Sequence, residues 1–281
     1  MPSKKFTIEF LKEIQKYMFD NNLGISATAR HFDVERGTLR DAFIKNNMKF
    51  ISRKDGKLKV NSDYFKIIDT EHKAYWLGFL IADGYLCTSK NRLELCLAKI
   101  DKEHIELFKK DLESEHKIQL KECILNNKIF YAYRINITDK QISQDLQKYG
   151  FNNNKSYEAY IPFDYIPLHL MRHFIRGLFD GDGCVYTHKE KSGNIATNII
   201  ICTTISCKMI NDITICLKKY LNIDVKYGIN KDSNPVDINI YKQEDMWKFY
   251  NWLYKDATIY LQRKYDKFAV LRQKHEKSQD N

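Results

Sequence analysis

Two segments of this chain have nearly the same sequence: WLGFLIADG at residues 76–84 and IRGLFDGDG at residues 175–183. Each is an apolar run that holds two small residues four positions apart and closes on Asp-Gly. The second Asp-Gly follows the first by 99 residues. A motif that recurs once at this spacing predicts two similar halves that meet at their motifs.

The small residues of the motif predict a pair of closely packed helices. Gly78 and Ala82 stand at i and i+4 and therefore share one helix face, as do Gly177 and Gly181. Small residues on one face allow two helix backbones to approach closely. We therefore expect the two motif helices to pack side by side.

An aspartate precedes the glycine that closes each motif. Gly84 and Gly183 predict the helix ends, because glycine readily adopts the left-handed conformation that a helix C-terminus favours. Asp83 and Asp182 should then lie close together at the ends of paired helices. Two carboxylates at the negative ends of helix dipoles are unfavourable unless a divalent cation neutralises them. The alternative is a helix-ending Asp-Gly turn without a chemical role, which two copies in the same register disfavour.

The composition is that of a basic chain without secretion or membrane signals. The 281 residues include 46 Lys and Arg against 36 Asp and Glu, a formal net charge of +10. This excess favours a polyanionic partner such as nucleic acid, although an AT-rich genome would also enrich lysine. The seven cysteines are odd in number and have no CxxC spacing. We therefore expect a cytoplasmic protein, or one inside an organelle or a phage-infected cell, without disulfides, a zinc site, a signal peptide or a membrane anchor.

Residues 1–46 predict a small all-α domain. Apolar positions at helical spacing indicate a first helix from Thr7 to Asn21, and Ser26 is the expected cap of a second helix. A turn at 33–35 leads to a third helix. The pattern resembles a helix-turn-helix, and an alternative is a three-helix module without a DNA role. The residues expected to face DNA are Glu35, Arg36, Thr38, Arg40 and Asp41. Residues 47–70 are basic and poorly periodic, which predicts a solvated linker.

From residue 71 the chain predicts the same order of elements twice: a motif helix, two strands, a helix, two strands and a helix. The two repeats span 71–166 and 167–274, and a disordered tail follows at 275–281. In the first repeat the expected strands are 85–89, 92–99, 117–125 and 129–137, with helices at 101–113 and 139–149. In the second they are 184–189, 197–205, 223–229 and 236–241, with helices at 207–221 and 243–254.

Alternation of polar and apolar residues predicts that one face of each sheet is buried and the other is wet. The wet face carries side chains that pair with base edges and phosphates, although any half-exposed antiparallel sheet looks similar. The candidate DNA-binding residues on these strands are Lys117, Gln119, Lys121, Arg134, Asn136, Lys226, Asn239 and Tyr241.

Both motif copies resemble the signature of the LAGLIDADG homing endonucleases. The resemblance covers roughly residues 71–274. It implies an α+β chain with a pseudo-twofold, duplicated αββαββα fold, whose antiparallel sheets bind double-stranded DNA, here preceded by the helix-turn-helix domain. It also implies a monomeric enzyme of a mobile element that makes double-strand breaks at a long asymmetric site.

The resemblance and the chemistry together indicate the catalytic residues. Paired carboxylates can hold the Mg²⁺ that phosphodiester hydrolysis uses, and Mn²⁺ is expected to substitute. Asp83 and Asp182 are the expected metal ligands, together with the residues before them, Ala82 and Gly181. Asp180 is a secondary candidate that points to another helix face.

Each half of such an enzyme also places a lysine near the centre of the site. The matching residues here are Lys155 and Lys264, with Arg263 as the rival of Lys264. Asp101 and Ser206 occupy positions where the family often has a basic or amide side chain. Two alternatives remain on the same fold: an RNA maturase, and a DNA-binding transcriptional regulator without cleavage. The presence of both Asp83 and Asp182 favours the nuclease.

Overall fold

The computed structural model describes residues 6–51, 58–125, 128–153, 155–189, 193, 195–228 and 235–269. The predicted tail at 275–281 lies outside these ranges. Contacts divide the chain into two compact units, Met1–Lys59 and Val60–Asn281. No helix in the described ranges is long and apolar enough to cross a membrane.

The N-terminal unit consists of three helices, α1 (Ile8–Asp20), α2 (Ile25–His31) and α3 (Arg36–Lys45). Its core extends beyond the expected boundary at residue 46, because Ile51 is buried with the helices and must fold with them. The other buried residues of this core are Leu11, Ile14, Met18, Ala29, Leu39 and Phe43.

The first two helices of this unit begin at other residues than the sequence predicts. Thr7 caps α1, since its hydroxyl accepts from the backbone N–H of Phe10 at 3.2 Å. Ser26 does not cap α2. That helix already begins at Ile25 after Gly24, so that Ser26 lies inside its first turn.

The larger unit repeats one order of elements. Its first half comprises α4 (Glu71–Asp83), β1 (Gly84–Cys87), β2 (Arg92–Ala98), α5 (Lys102–Asp111), β3 (Ile118–Leu125), β4 (Lys128–Thr138), α6 (Lys140–Lys148) and α7 (Lys155–Glu158). Its second half comprises α8 (Met171–Asp182), β5 (Cys184–Lys189), β6 (Ile195–Thr204), α9 (Cys207–Leu221), β7 (Lys226–Tyr227), β8 (Val236–Ile240), α10 (Gln243–Tyr254) and α11 (Gln262–Lys267).

Each half forms one antiparallel four-stranded sheet. The strand order is β1-β2-β4-β3 in the first sheet and β5-β6-β8-β7 in the second. The predicted α+β fold with two copies of the αββαββα order is confirmed. One register shift, between Ile200 and Cys202 on β6, distinguishes the second sheet from the first.

The second half of the predicted linker is folded rather than solvated. Tyr64, Phe65 and Ile68 are buried in the core of the larger unit. The hydroxyl of Tyr149 donates to the carbonyl oxygen of Phe65 at 2.8 Å. These apolar residues lie shortly before α4 and are part of the same core. Residues 52–57, in the basic part of the predicted linker, lie outside the described part of the chain.

Candidate active site

The two motif helices, α4 and α8, pack with their backbones in contact. A Cβ atom on Gly78 would overlap the carbonyl oxygen of Phe174, and one on Gly177 would overlap the carbonyl oxygen of Tyr75. Both obstacles are backbone atoms of the opposite helix. The small residues of the motif therefore permit the close crossing that the sequence predicts.

The glycines after the motif helices act by their size rather than by a left-handed conformation. Gly84 has φ −75° and ψ 161°, and Gly183 has φ −73° and ψ 165°, which is extended backbone in both cases. Each helix leads directly into a strand, so no left-handed residue is needed. A Cβ on Gly84 would lie 2.7 Å from the carbonyl oxygen of Leu80, which leaves room only for glycine.

The helix crossing brings the two motif aspartates to the same place. Asp83 and Asp182 are the last residues of α4 and α8, and both side chains are exposed. A Cβ on Gly181 would overlap the side chain of Ala82 and would lie 3.6 Å from the carboxyl carbon of Asp83. Ala82 and Asp182 line one cavity of about 260 Å³. The predicted ligand residues of the two halves are thus neighbours.

Lys264 lies beside the end of the second motif helix. It is buried near the start of α11, and its ammonium donates to the carbonyl oxygen of Gly183, the residue after Asp182. Burial, reinforced by the positive charge of Arg263, lowers the pKa of Lys264, while the carboxylates of Asp180 and Asp83 oppose that shift. The Lys264 side chain is therefore held at the end of the second motif helix.

The other basic candidates differ in position. Lys155 begins α7, and its side chain lies outside the described residues. Arg263, the residue before Lys264, forms an ion pair with Asp101. Its Nε lies 2.9 Å from each carboxylate oxygen of Asp101. Ser206 caps α9, since its hydroxyl accepts from the backbone N–H of Met209 at 3.2 Å.

Asp180 does not belong to the exposed carboxylate pair. Its side chain is fully buried and accepts three hydrogen bonds, from the hydroxyls of Tyr254 at 2.6 Å and Tyr75 at 2.8 Å and from the backbone N–H of Leu261 at 2.7 Å. Burial raises the pKa of Asp180 to about 6, although the three hydrogen bonds favour the charged carboxylate and partly oppose this shift. The hypothesis that Asp180 is a secondary metal ligand is therefore wrong.

A buried arginine accompanies Asp180 on α8, and sequence reasoning missed it. Arg176 is fully buried and donates to Glu71 Oε1 at 2.6 Å and to the carbonyl oxygens of Leu253 at 2.7 Å and Ile259 at 2.8 Å. Burial lowers the pKa of Arg176, while Glu71 opposes the shift. A charged residue inside an otherwise apolar motif was the available signal.

The donor set at the motif ends fits a hard cation that keeps part of its water. Within the described ranges, no three His, Cys, Asp or Glu side chains are grouped closely enough to hold a metal ion. Mg²⁺ is commonly bound through one or two carboxylates, with waters and substrate phosphates as its other ligands. Asp83 and Asp182 match that requirement.

The predicted polar face of the first sheet carries both charge and unused hydrogen-bonding capacity. Arg134 stands directly opposite Gln119, and its guanidinium lies 3.5 Å from the Gln119 amide oxygen. Three polar atoms on this face are buried without a hydrogen-bond partner: Arg92 Nε, Arg134 Nε and Asn136 Oδ1. Lys117, the residue before β3, is exposed, and Lys121 on β3 is half-buried.

The second sheet matches the predicted wet face only in part. Lys226 and Tyr241 are exposed, and the Lys226 ammonium lies 5.9 Å from the centre of the Tyr241 ring. Asn239 is instead only 9% exposed. It stands between Lys226 and Ile200 on the flanking strands, and its amide donates to the Asp237 carbonyl oxygen at 3.0 Å. The side chain is buried, so the expectation that Asn239 is open to solvent is wrong.

In the N-terminal unit the predicted DNA-facing residues divide into two groups. Arg36 and Arg40 are exposed on α3. The Thr38 hydroxyl and backbone N–H both donate to the Glu35 carboxylate, at 2.8 and 2.5 Å, which caps the helix. Backbone hydrogen bonds from Gly37 and Thr38 lower the pKa of Glu35 to about 2. Glu35 and Thr38 therefore stabilise the start of α3.

Comparison with known proteins agrees with this geometry. Residues 169–253 match the family model of the LAGLIDADG-like domain. That match lies within the second half of the larger unit. The homing endonuclease I-WcaI bound to its DNA recognition sequence is a structural neighbour with a TM-score of 0.54 and 18% identity, covering 72% of this chain and 90% of that one. At that identity the likeness shows the LAGLIDADG fold alone.

Two further similarities are more distant or partial. Full-length DUF199/WhiA from Thermatoga maritima has a TM-score of 0.47 and 15% identity, over 76% of this chain and 65% of that chain. The replication factor C small subunit of Methanocaldococcus jannaschii is 27% identical over 182 residues. Those residues are 64% of this chain but 9% of that protein, so the chain spans a small part of its relative.

Proposed function

We propose that this LAGLIDADG protein is a site-specific endonuclease that hydrolyses both strands of double-stranded DNA with Mg²⁺. The observation that carries the proposal is the pairing of Asp83 and Asp182 at the exposed ends of two helices whose backbones touch. Close packing of two helices requires small residues at the crossing, but it does not require an exposed carboxylate at the end of each helix. The DNA-bound I-WcaI with the same fold supports DNA as the substrate.

The proposed chemistry assigns a role to each side chain at the motif ends. Asp83 and Asp182 hold Mg²⁺ or Mn²⁺, with Ala82 and Gly181 beside them. A cation held there would supply charge neutralisation at the phosphate and at the attacking and leaving oxygens. Lys264 places a positive charge at the second motif end, where it stabilises the extra negative charge of the pentavalent phosphorus. Lys155 is proposed for the same task in the first half.

The two sheets are proposed to bind the DNA. Arg, Lys and Gln side chains lie on one face of the first sheet, and its unpartnered polar atoms suit base edges or phosphates. The two halves differ in these side chains, so we propose a long asymmetric site, which a single chain reads as a monomer. The net charge of +10 supports a polyanionic partner.

A DNA-binding regulator without cleavage is the second candidate. The observation that favours it is the N-terminal three-helix unit, in which Arg36 and Arg40 are exposed on the third helix. The retained aspartate pair favours the nuclease, because binding alone does not require two adjacent carboxylates. The two candidates differ in whether DNA is cut.

The test is cleavage of the DNA that flanks the gene, together with a randomised duplex library, in Mg²⁺ and in EDTA. We expect double-strand breaks only with the metal. Asp83→Asn and Asp182→Asn should abolish cutting and retain site binding, because the sheets supply most of the affinity. Asp63→Asn is the matched control, since Asp63 is an exposed aspartate that pairs only locally with Lys66.

Two results would contradict the nuclease. Cleavage of both strands at the normal rate by either motif variant would exclude a shared metal site. Tight site binding by the intact chain, with no cutting in Mg²⁺ or Mn²⁺, would favour the regulator.

A further inference from the structure

The helix that carries Lys264 is attached to the second motif helix at Leu261, the residue before α11. The Leu261 N–H donates to Asp180 at 2.7 Å, and its carbonyl oxygen accepts from the backbone N–H of Lys264 at 2.9 Å. The Lys264 ammonium then returns to the carbonyl oxygen of Gly183. Asp180 and Gly183 are three residues apart, so these contacts close a ring around the second motif end.

Asp180 is itself held from two sides. The hydroxyl of Tyr75 on α4 and that of Tyr254 at the end of α10 both donate to its carboxylate. Tyr75 also lies 2.9 Å from the Nε2 atom of the buried His104. With both oxygens engaged, the carboxylate has one defined orientation, and Leu261 receives a fixed acceptor.

The segment that leads from α10 to α11 is also bound by α8 before it reaches Leu261. Arg176, one turn before Asp180, donates to the carbonyl oxygens of Leu253 and Ile259. Two charged residues of α8 therefore bind three backbone groups of the residues 253–261. These contacts fix the backbone of residues 253–261, and this backbone sets the position of α11 and of Lys264.

We infer that Asp180 is a positioning residue that sets Lys264 against the second motif end. The inference rests on the proposed function only in the role given to Lys264. It applies to one half of the protein, because the matching position in the first motif helix is Ile81, which accepts no hydrogen bond. Asp180 also partly compensates the burial of the Lys264 charge, because a nearby carboxylate favours the ammonium.

The first test reads the position of Lys264 without DNA. The full chain is treated briefly with acetic anhydride, and acetylation of Lys264 is measured by mass spectrometry relative to Lys267, which is exposed on the same helix. Asp180→Leu, which removes the acceptor, should raise relative labelling several-fold. Asp180→Asn keeps an acceptor oxygen and should remain near the wild type.

A buried aspartate in the first half provides the matched control. Asp139 is 3% exposed and accepts from the backbone N–H groups of Gln141 and Ile142 at the start of α6. Asp139→Leu should destabilise the chain comparably and leave Lys264 protected. If Asp180→Leu does not fold, Tyr254→Phe, which removes one donor but keeps the ring, should raise labelling in the same direction.

The second test measures single-turnover cleavage at a saturating protein concentration. Displacing a catalytic group by about 1 Å can cost about 10²-fold in rate, and we expect a loss of that order for Asp180→Leu with site binding retained. Unchanged labelling in Asp180→Leu, or an equal rise in Asp139→Leu, would overturn the inference. A wild-type chain that cuts no DNA but shows the expected labelling would overturn the proposed function and leave the positioning role in place.

Discussion

Replacing Gly177 by alanine tests how the two aspartates are brought together. The new Cβ would overlap the carbonyl oxygen of Tyr75 and lie 2.8 Å from the backbone nitrogen of Phe79. Both atoms belong to the α4 backbone, which cannot rotate away as a side chain would. The helices must therefore separate locally to admit the methyl group.

The expected loss of stability follows from two opposing effects. Overpacking of a tight contact costs about 1–3 kcal/mol, because the surrounding atoms must shift. Alanine in place of glycine within a helix returns roughly 1 kcal/mol. We therefore expect the free energy of unfolding of Gly177→Ala to fall by up to about 2 kcal/mol.

Urea denaturation and DNA cleavage under saturating conditions measure the two consequences. Cleavage should fall by more than the lost stability accounts for, because separation of the helices changes the spacing of Asp83 and Asp182. The double variant with Gly78→Ala should lose less than the sum of the single losses, since one separation accommodates both methyl groups.

Gly37→Ala is the control for helix propensity alone. A Cβ on this helical glycine of the N-terminal unit would meet only the Glu35 carboxylate, at 3.0 Å, and that side chain can move. This variant gains helix propensity but displaces the Glu35 cap, so its stability should change little, and it should cut normally. Normal stability and normal cleavage by Gly177→Ala would refute the view that backbone contact sets the aspartate pair.

Further predictions concern Lys264, His104 and the N-terminal unit. Lys264→Met should lower turnover by about 10²-fold with site binding retained, on the scale of one lost transition-state contact, whereas a normal rate would transfer the role to Arg263. Burial lowers the pKa of His104 from 6.5 to about 3, so the unfolded chain binds a proton below pH 6.5 that the folded chain excludes. His104 should therefore reduce the free energy of unfolding by up to about 1.4 kcal/mol per pH unit as the pH falls from 6.5 towards 3, and urea titrations of His104→Gln should lack that contribution. Removal of residues 1–59 should shorten the DNA footprint at one end without moving the scissile positions. Arg36→Ala or Arg40→Ala should cost about 1–3 kcal/mol at one flank if a base is contacted, and an unchanged footprint would assign the unit another role.

The repeated motif was sufficient to predict the architecture of the larger unit. Small residues at i and i+4 identify the helix faces that meet, and alternation along the strands predicts the two sheets. The short strand β7, with two residues where seven were expected, shows the limit of such patterns. Pairing with a neighbour, rather than local alternation, decides where a strand ends.

Asp83 and Asp182 could be predicted as part of the candidate site, because both are carboxylates at the same position of the repeated motif. Asp180 was not, because its role depends on Tyr75, Tyr254 and Leu261, which come from distant parts of the chain. Alternation also placed Asn239 on the exposed face, although its side chain is buried and its amide donates to the Asp237 carbonyl oxygen. Tertiary neighbours decided each of these cases.

The two motif helices are alike at the residues that set their contact and different at the residues that face the core. Both have glycines at the crossing and an aspartate at the end, whereas Asp180 and Arg176 on α8 correspond to Ile81 and Leu77 on α4. A buried carboxylate and guanidinium are costly unless every polar atom is engaged, and on α8 they bind backbone groups of the segment that leads to Lys264. The symmetric residues therefore account for a shared pair of carboxylates. The asymmetric ones account for a lysine fixed by the core in one half, so loss of Asp180 should impair scission of one DNA strand more than the other and convert double-strand cutting towards nicking.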